Sequence, residues 1–263
     1  MGSFDHGYSG MISLRAVNEW IGVINSNLGG TNRTAYKATK VAFGGGVAQL
    51  LRDPRQEVNG IQLPDSTLIV DHTRIDFSQG TVIQDGELTH FAISGDGFFA
   101  VHDGASVFFT RDGEFRWTVL NNATILTTAS GFTVLGHGWD PAVVGTLTAS
   151  IIRSGTGATF SAIINSVSGA DRCLAVWRFV NNQALKFSKY GSTMFDDAQA
   201  GPLTVANNQP RNVETIQSSL EASNAALNDT LPELSLAQKL FSAVSKIINV
   251  HNSDLDITIN LIR

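Results

Sequence analysis

Two short loops, Gly95-Asp96-Gly97 and Arg111-Asp112-Gly113, have the residue types and spacing best suited to chemistry in this chain. A glycine-flanked aspartate can help hold a calcium ion, and its backbone amides can cradle a phosphate. Neither loop has the succession of oxygen ligands that calcium requires, and the same residues are the ones a tight turn demands. Asp196-Asp197 places two carboxylates at consecutive positions of a polar stretch, where they read as solvated. The six histidines (His6, His72, His90, His102, His137 and His251) are scattered and form no metal-ligand spacing. There is no Gly-x-Ser-x-Gly elbow and no phosphate-binding P-loop. The one cysteine, Cys173, excludes an intrachain disulfide. It shares an expected strand face with Ala175, Trp177 and Phe179, which reads as a small buried hydrophobe. No catalytic constellation emerges, and no metal or cofactor is expected.

The elements that must position these residues are of two kinds. Leu14, Val17, Ile21, Ile24 and Leu28 recur at spacings of three, four, three and four. Phe241, Val244, Ile248, Leu255 and Ile262 keep the same seven-residue frame near the other end, with His251 and Thr258 as its polar members and Leu240 and Ile247 beside it. Such heptads mark helices that bury a narrow stripe against another helix. His251 reads as a helix-contact residue rather than a pH switch. The first helix is expected over about 11–28, ended by Gly29-Gly30. Residues 31–43 read either as resumed helix or as an ordered turn, with Gly44-Gly45-Gly46 as punctuation.

From Thr67 the period becomes two. Asp-Gly, Asn-Asn and Ser-Gly signals at 95–97, 102–104, 111–113, 121–122 and 130–131 separate apolar runs, the pattern of hairpins. Later strands are expected over 147–164 and 173–180. Val213, Ile216, Leu220 and Leu227 suggest that helix restarts there. Pro232 either opens a new helix or kinks a continuous one. The expected fold is therefore α+β. Terminal helices (1–66 and 196–263) pair as a coiled-coil-like assembly domain around a central antiparallel β domain (67–195).

The bulk numbers narrow the function. Of 263 residues, 43% are hydrophobic and 16% charged, a thin charged coat that suits a surface buried against neighbours. The net charge of −5, without a Lys/Arg run, argues against nucleic acid as partner. No run reaches the roughly 20 apolar residues of a membrane span. Residues 1–10 lack the basic and apolar regions of a cleaved signal peptide.

Several separated pieces resemble one family. Asn27, Leu28, Asn32, Tyr36 and Lys37 fit the rod signature of flagellar axial proteins, while Ser26, Gly29, Gly30, Arg33 and Ala35 depart from it. Asp76-Phe77-Ser78-Gln79-Gly80, then Ala92-Ile93-Ser94-Gly95-Asp96-Gly97-Phe98-Phe99-Ala100-Val101, then Thr110-Arg111-Asp112-Gly113-Glu114-Phe115 resemble the hook–basal-body core pattern. Leu220-Glu221-Ala222-Ser223-Asn224 resembles the segment that opens the family's C-terminal helix, and Ala237-Gln238 sits where the family has the same pair. The resemblance is to the hook–basal-body axial family, nearest the proximal and distal rod proteins. It implies a structural subunit that polymerises with itself and with other axial proteins through its terminal helices. It also implies an extracytoplasmic place reached without a cleaved signal peptide. The expected assembly residues are Leu14, Val17, Ile21, Ile24, Leu28, Leu240, Phe241, Val244, Ile247, Ile248 and Leu255.

Three other readings stand beside this one. The heptads alone do not say whether the partner helix is in the same chain, so they also suit a coiled coil that caps a monomer. A secreted β-rich adhesive protein would present Trp117, Trp139 and Trp177 on one face. An enzyme ranks last for want of a site.

Overall fold

The computed structural model describes residues 3–45, 67–120, 123–136, 174, 176–196, 202–203 and 214–261. It contains both terminal helices and a central antiparallel β region, an α+β fold. The chain divides into two compact units. One comprises Met1–Gly29, Thr39–Asp76 and Ala226–Arg263, and the other Gly30–Ala38 and Phe77–Ala225. The expected strands over 147–164, the residues Cys173, Ala175 and Trp139, and residues 46–66 lie outside the described residues.

The first, helical unit contains α1 (Ser3–Gly30), α2 (Leu227–Leu261) and a ribbon of β1 (Thr39–Gly45) with β2 (Leu68–Ile75). The heptad spacing accounts for both helices. Buried Val17, Ile24 and Ala237 form one cluster, with Trp20, Ile21, Leu68 and Leu234 packed against it. Farther along, a Cβ added to Gly10 would lie 2.8 Å from Ile248 Cγ1. Moving from residue 10 to 24 on α1 thus corresponds to moving from 248 to 237 on α2, so the two helices run antiparallel. Pro232 lies inside α2 and neither opens nor ends it. As the sixth residue of the helix it removes the hydrogen bond that an amide there would donate to the Asn228 carbonyl.

The ribbon corrects two expectations. Residues 31–43 are neither resumed helix nor turn throughout, since Thr39 begins a strand; Gly44 and Gly45 pair with Ile69 and Leu68 rather than breaking the chain. A register shift at Ala42/Phe43 bends the strand. Trp20 meets the Phe43 ring edge-on at 5.2 Å between centroids.

Among the described residues, the β unit is built on a nine-stranded antiparallel sheet. Its main path runs β11 (Lys186–Ser188), β12 (Gly191–Asp196), β6 (Val107–Thr110), β5 (Phe98–His102), β9 (Thr133–Val134), β8 (Ala123–Thr128), β7 (Phe115–Leu120). β10 (Val176–Phe179) pairs with β5 and with β13 (Pro202–Leu203). Two small pairs complete it: β14 (Glu214–Gln217) with β4 (Phe91–Ser94), and β15 (Ser219–Glu221) with β3 (Val82–Gln84). Phenylalanines dominate the core, with Phe91, Phe99, Phe108, Phe115 and Phe132 in one buried cluster.

Three of the five turn signals join paired neighbours: β5 to β6, β7 to β8, and β8 to β9. The first is fastened by Asp103, whose carboxylate accepts the amides of Ser106 and Ala105 at 2.7 Å and is held at a pKa of about 2 by them. The other two signals are not hairpins. Gly95-Asp96-Gly97 carries the chain from β4 to β5, and Arg111-Asp112-Gly113 from β6 to β7, and neither flanking pair is hydrogen-bonded. A second correction falls at 214–221. The helical spacing of Ile216 and Leu220 is overridden by two strands, separated at Ser218, which takes φ 53°. The open edges of β4 and β3 supply the hydrogen bonds that a helix would otherwise have made within itself.

Candidate assembly face and buried ionic cluster

The two helices treat their stripes differently. On α1, Val17 and Ile24 are buried, and Leu14, Ile21 and Leu28 are half-buried. On α2 only Thr230 and Ala237 are fully buried. Leu234, Val244, Ile248, His251 and Leu255 are half-covered, and Phe241 remains 40% exposed. These residues keep the expected seven-residue frame, which is therefore the face that α2 turns toward its own chain. Of the expected assembly residues, the structure gathers Val17, Ile21 and Ile24 with Leu234 and Ala237. Leu240 and Ile247 are left exposed, Ile247 by 63%.

Those two belong to a second heptad that the sequence reading missed. Leu236, Leu240, Ala243, Ile247, Val250, Asp254, Ile257 and Leu261 repeat at four and three residues, one position ahead of the first frame. All of them are exposed. The signal is in the sequence, where Leu240 and Ile247 lie beside the first frame. An exposed apolar stripe running most of a 35-residue helix is far more than scattered surface hydrophobes.

In the β unit, the family-like motifs converge on one buried ionic cluster. Glu221, Lys37 and Arg111 are at most 1% exposed. Lys37 Nζ donates to Glu221 Oε1 at 2.6 Å and to the Ser78 carbonyl at 2.7 Å. Arg111 Nη1 donates to Glu221 Oε2 at 3.2 Å, and Nη2 to the Gly95 carbonyl at 2.7 Å. The Gly80 amide donates a further bond to Glu221 Oε1. The guanidinium carbon also lies 5.3 Å from the centre of the Phe98 ring. Asn224 closes the cluster, accepting the Ala38 amide at 2.7 Å and donating to the Ser78 carbonyl and hydroxyl. The physical effect of the arrangement is to fasten three distant segments.

The remaining motif residues are turn and packing devices. Gly95 takes φ 104°, where a side chain would be strained. A Cβ on Gly113 would overlap the Phe91 carbonyl oxygen. Gly97 and Phe98 are buried, whereas Asp96 and Asn32 are exposed. Ser223 Oγ accepts the Ala225 amide at 3.1 Å just before α2. Tyr36 packs with Ala38 and Ala225. Asn27 belongs to the helical unit, where its side-chain amide both donates to and accepts from the Thr39 backbone at 2.8 Å, pinning α1 to β1. Among the described residues, no group of three or more His, Cys, Asp or Glu is placed to hold a metal. Trp177 is buried and Trp117 packs half-buried on the β core, so neither contributes to an exposed aromatic face.

Asp112 accepts the Glu114 amide at 3.1 Å, and burial raises its pKa to about 6. A folded-state pKa above the unfolded value means that the folded chain holds the extra proton. Stability contributed by this group is complete below pH 4 and is lost as pH rises to about 6. Asp112→Asn keeps an acceptor for the turn and removes the titration. The difference in unfolding free energy between wild type and variant should change by on the order of 2 kcal/mol across that window. Urea titrations at pH 4 and pH 7 measure it, and a flat difference would mean that Asp112 ionises normally.

The family described as "Flagellar hook protein FlgE/F/G D1 domain" matches residues 92–162. This chain is similar to flagellar rod and hook proteins. It is 26% identical to the flagellar basal-body rod protein FlgG of Bacillus subtilis over 264 residues, covering 97% of this chain and 98% of that protein. It is 28% identical to FlgG of Borreliella burgdorferi over 255 residues, covering 92% and 93%. Against the flagellar hook protein FlgE of Treponema pallidum it is 32% identical over 134 residues, 49% of this chain but 28% of that protein. The likeness along the full length is thus to rod proteins, and the likeness to a hook protein is partial.

Proposed function

We propose that this chain is a structural, non-enzymatic subunit of an extracytoplasmic flagellar rod, polymerising with itself and with other axial proteins through its terminal helices. The observation that carries this reading is the second stripe of α2, apolar, exposed and continuous with the face that already packs on α1. A helix apolar on more than one face belongs in the interior of something larger than one chain. The helical unit is the assembly part. No helix among the described residues is long and apolar enough to cross a membrane. Sedimentation and negative-stain microscopy over a concentration series test the reading. Filaments should appear above a critical concentration, and a monodisperse monomer at all concentrations would overturn it.

A further inference from the structure

The helical unit contains a cleft of about 480 Å³ between the second half of α1 and the β1–β2 ribbon. Trp20, Val23 and Phe43 give it an apolar lining, and Lys40, Arg74 and Glu233 supply its charges. Lys40 is held by Asp76 at 2.6 Å. Arg74 pairs with Lys40 through its backbone in the ribbon, while its side chain is exposed and makes no hydrogen bond or ion pair among the described residues. The cleft therefore offers an apolar socket with one uncommitted cation at its edge. It is too small for a helix, whose diameter is roughly 10–12 Å, but it has room for side chains projecting from one.

The distal part of α2 presents the matching chemistry. Asp254, Ile257 and Leu261 lie at i, i+3 and i+7 on the exposed stripe, with Asp256 beside them. One carboxylate followed by two aliphatic anchors is the pattern by which a helix face enters a groove. The tip cannot reach the cleft of its own chain. Ala237 lies level with the Val17–Ile24 region, and Asp254 is about 26 Å farther along the axis at 1.5 Å per residue, beyond the point where Ile248 meets Gly10. We propose that the cleft receives the Asp254–Leu261 face of α2 from a second copy of this chain, with Asp254 paired to Arg74. The proposal rests on the polymerising role argued above. A contact between two different patches is head-to-tail, and repetition of it generates an open helical polymer.

Charge reversal tests the pairing. Both residues are exposed, so Arg74→Glu and Asp254→Arg should leave the circular dichroism spectrum and melting of the subunit unchanged. Each single change should raise the critical concentration by about tenfold, and the double change Arg74→Glu/Asp254→Arg should return it close to wild type. A second readout uses cysteines in a Cys173→Ser background. Arg74→Cys and Asp254→Cys chains, mixed under mild oxidation, should yield a disulfide-linked dimer during co-assembly. If the single variants polymerise like wild type, or the double change is no better than the singles and no cross-link forms, the cleft pairing is wrong while the rod reading survives. If the wild-type chain itself never polymerises, both fail.

Discussion

Glu221→Ala is expected to unfold the β unit, or to leave it so weak that it melts near ambient temperature. The substitution leaves the Lys37 ammonium and the Arg111 guanidinium buried together with no carboxylate between them. Removing one partner from a buried ionic group costs about 3–5 kcal/mol, because the remaining charge stays desolvated. Here two like charges remain, so the upper end applies. A domain has roughly 5–15 kcal/mol in total. Lys37→Met should be much milder. It leaves the Arg111–Glu221 pair electrically balanced, and Glu221 Oε1 keeps the Gly80 amide. Ser78 likewise keeps the Asn224 amide. Thermal melts of the two variants give the ranking. Equal losses would mean that packing, not charge balance, governs this cluster.

Ile247→Asp is expected to abolish polymerisation while leaving the subunit as stable as wild type. Ile247 is exposed in the single chain, so a surface substitution there should change folding stability by no more than about 0.5 kcal/mol. In the polymer the same aspartate would be buried without a partner. A penalty of several kcal/mol per subunit raises the critical concentration at least about a hundredfold. Val244→Asp is a less clean probe, because Val244 is half-buried in the subunit and a charge there strains the fold as well. Asn249→Asp, on the opposite side of α2, adds the same charge off both stripes and should assemble normally. Sedimentation of the three variants separates the alternatives. If Ile247→Asp pellets like wild type, the second stripe faces solvent in the polymer too.

Much of the architecture was readable because it is written locally. The heptads of α1 and α2 are periodic in their own segments, and the turns at His102-Asp103-Gly104 and Ser130-Gly131 join neighbouring strands. What could not be read depends on residues far apart. Gly95-Asp96-Gly97 looks like a hairpin turn until β14 is seen to pair with β4 in place of β5. Residues 214–221 carry a helical spacing that yields only because two strand edges await them. Glu221 is the sharpest case. Nothing near it in sequence marks it as buried, since its partners Lys37 and Arg111 lie 184 and 110 residues away. The family-like motifs pointed to most of the cluster, but as a pattern without a physical cause. The second α2 stripe failed differently: its period was visible, but periodicity alone does not say which face of a helix the rest of the chain will cover.

The distance between Lys37 and Glu221 along the chain sets an order of events during synthesis. A nascent chain that has emerged only as far as residue 195 already carries both cations, yet the carboxylate that allows them to be buried is still missing. Desolvating either one alone is costly, so this cluster cannot close early. β14 and β15, which complete the two small strand pairs, emerge just as late. Contacts of such long sequence separation also form slowly once all the residues are present. Folding of the β unit is thereby postponed until residues 214–221 are available. The ionic cluster thus acts as a clock as well as a fastener, giving the β unit an interval in which most of its residues are present but its core is still open.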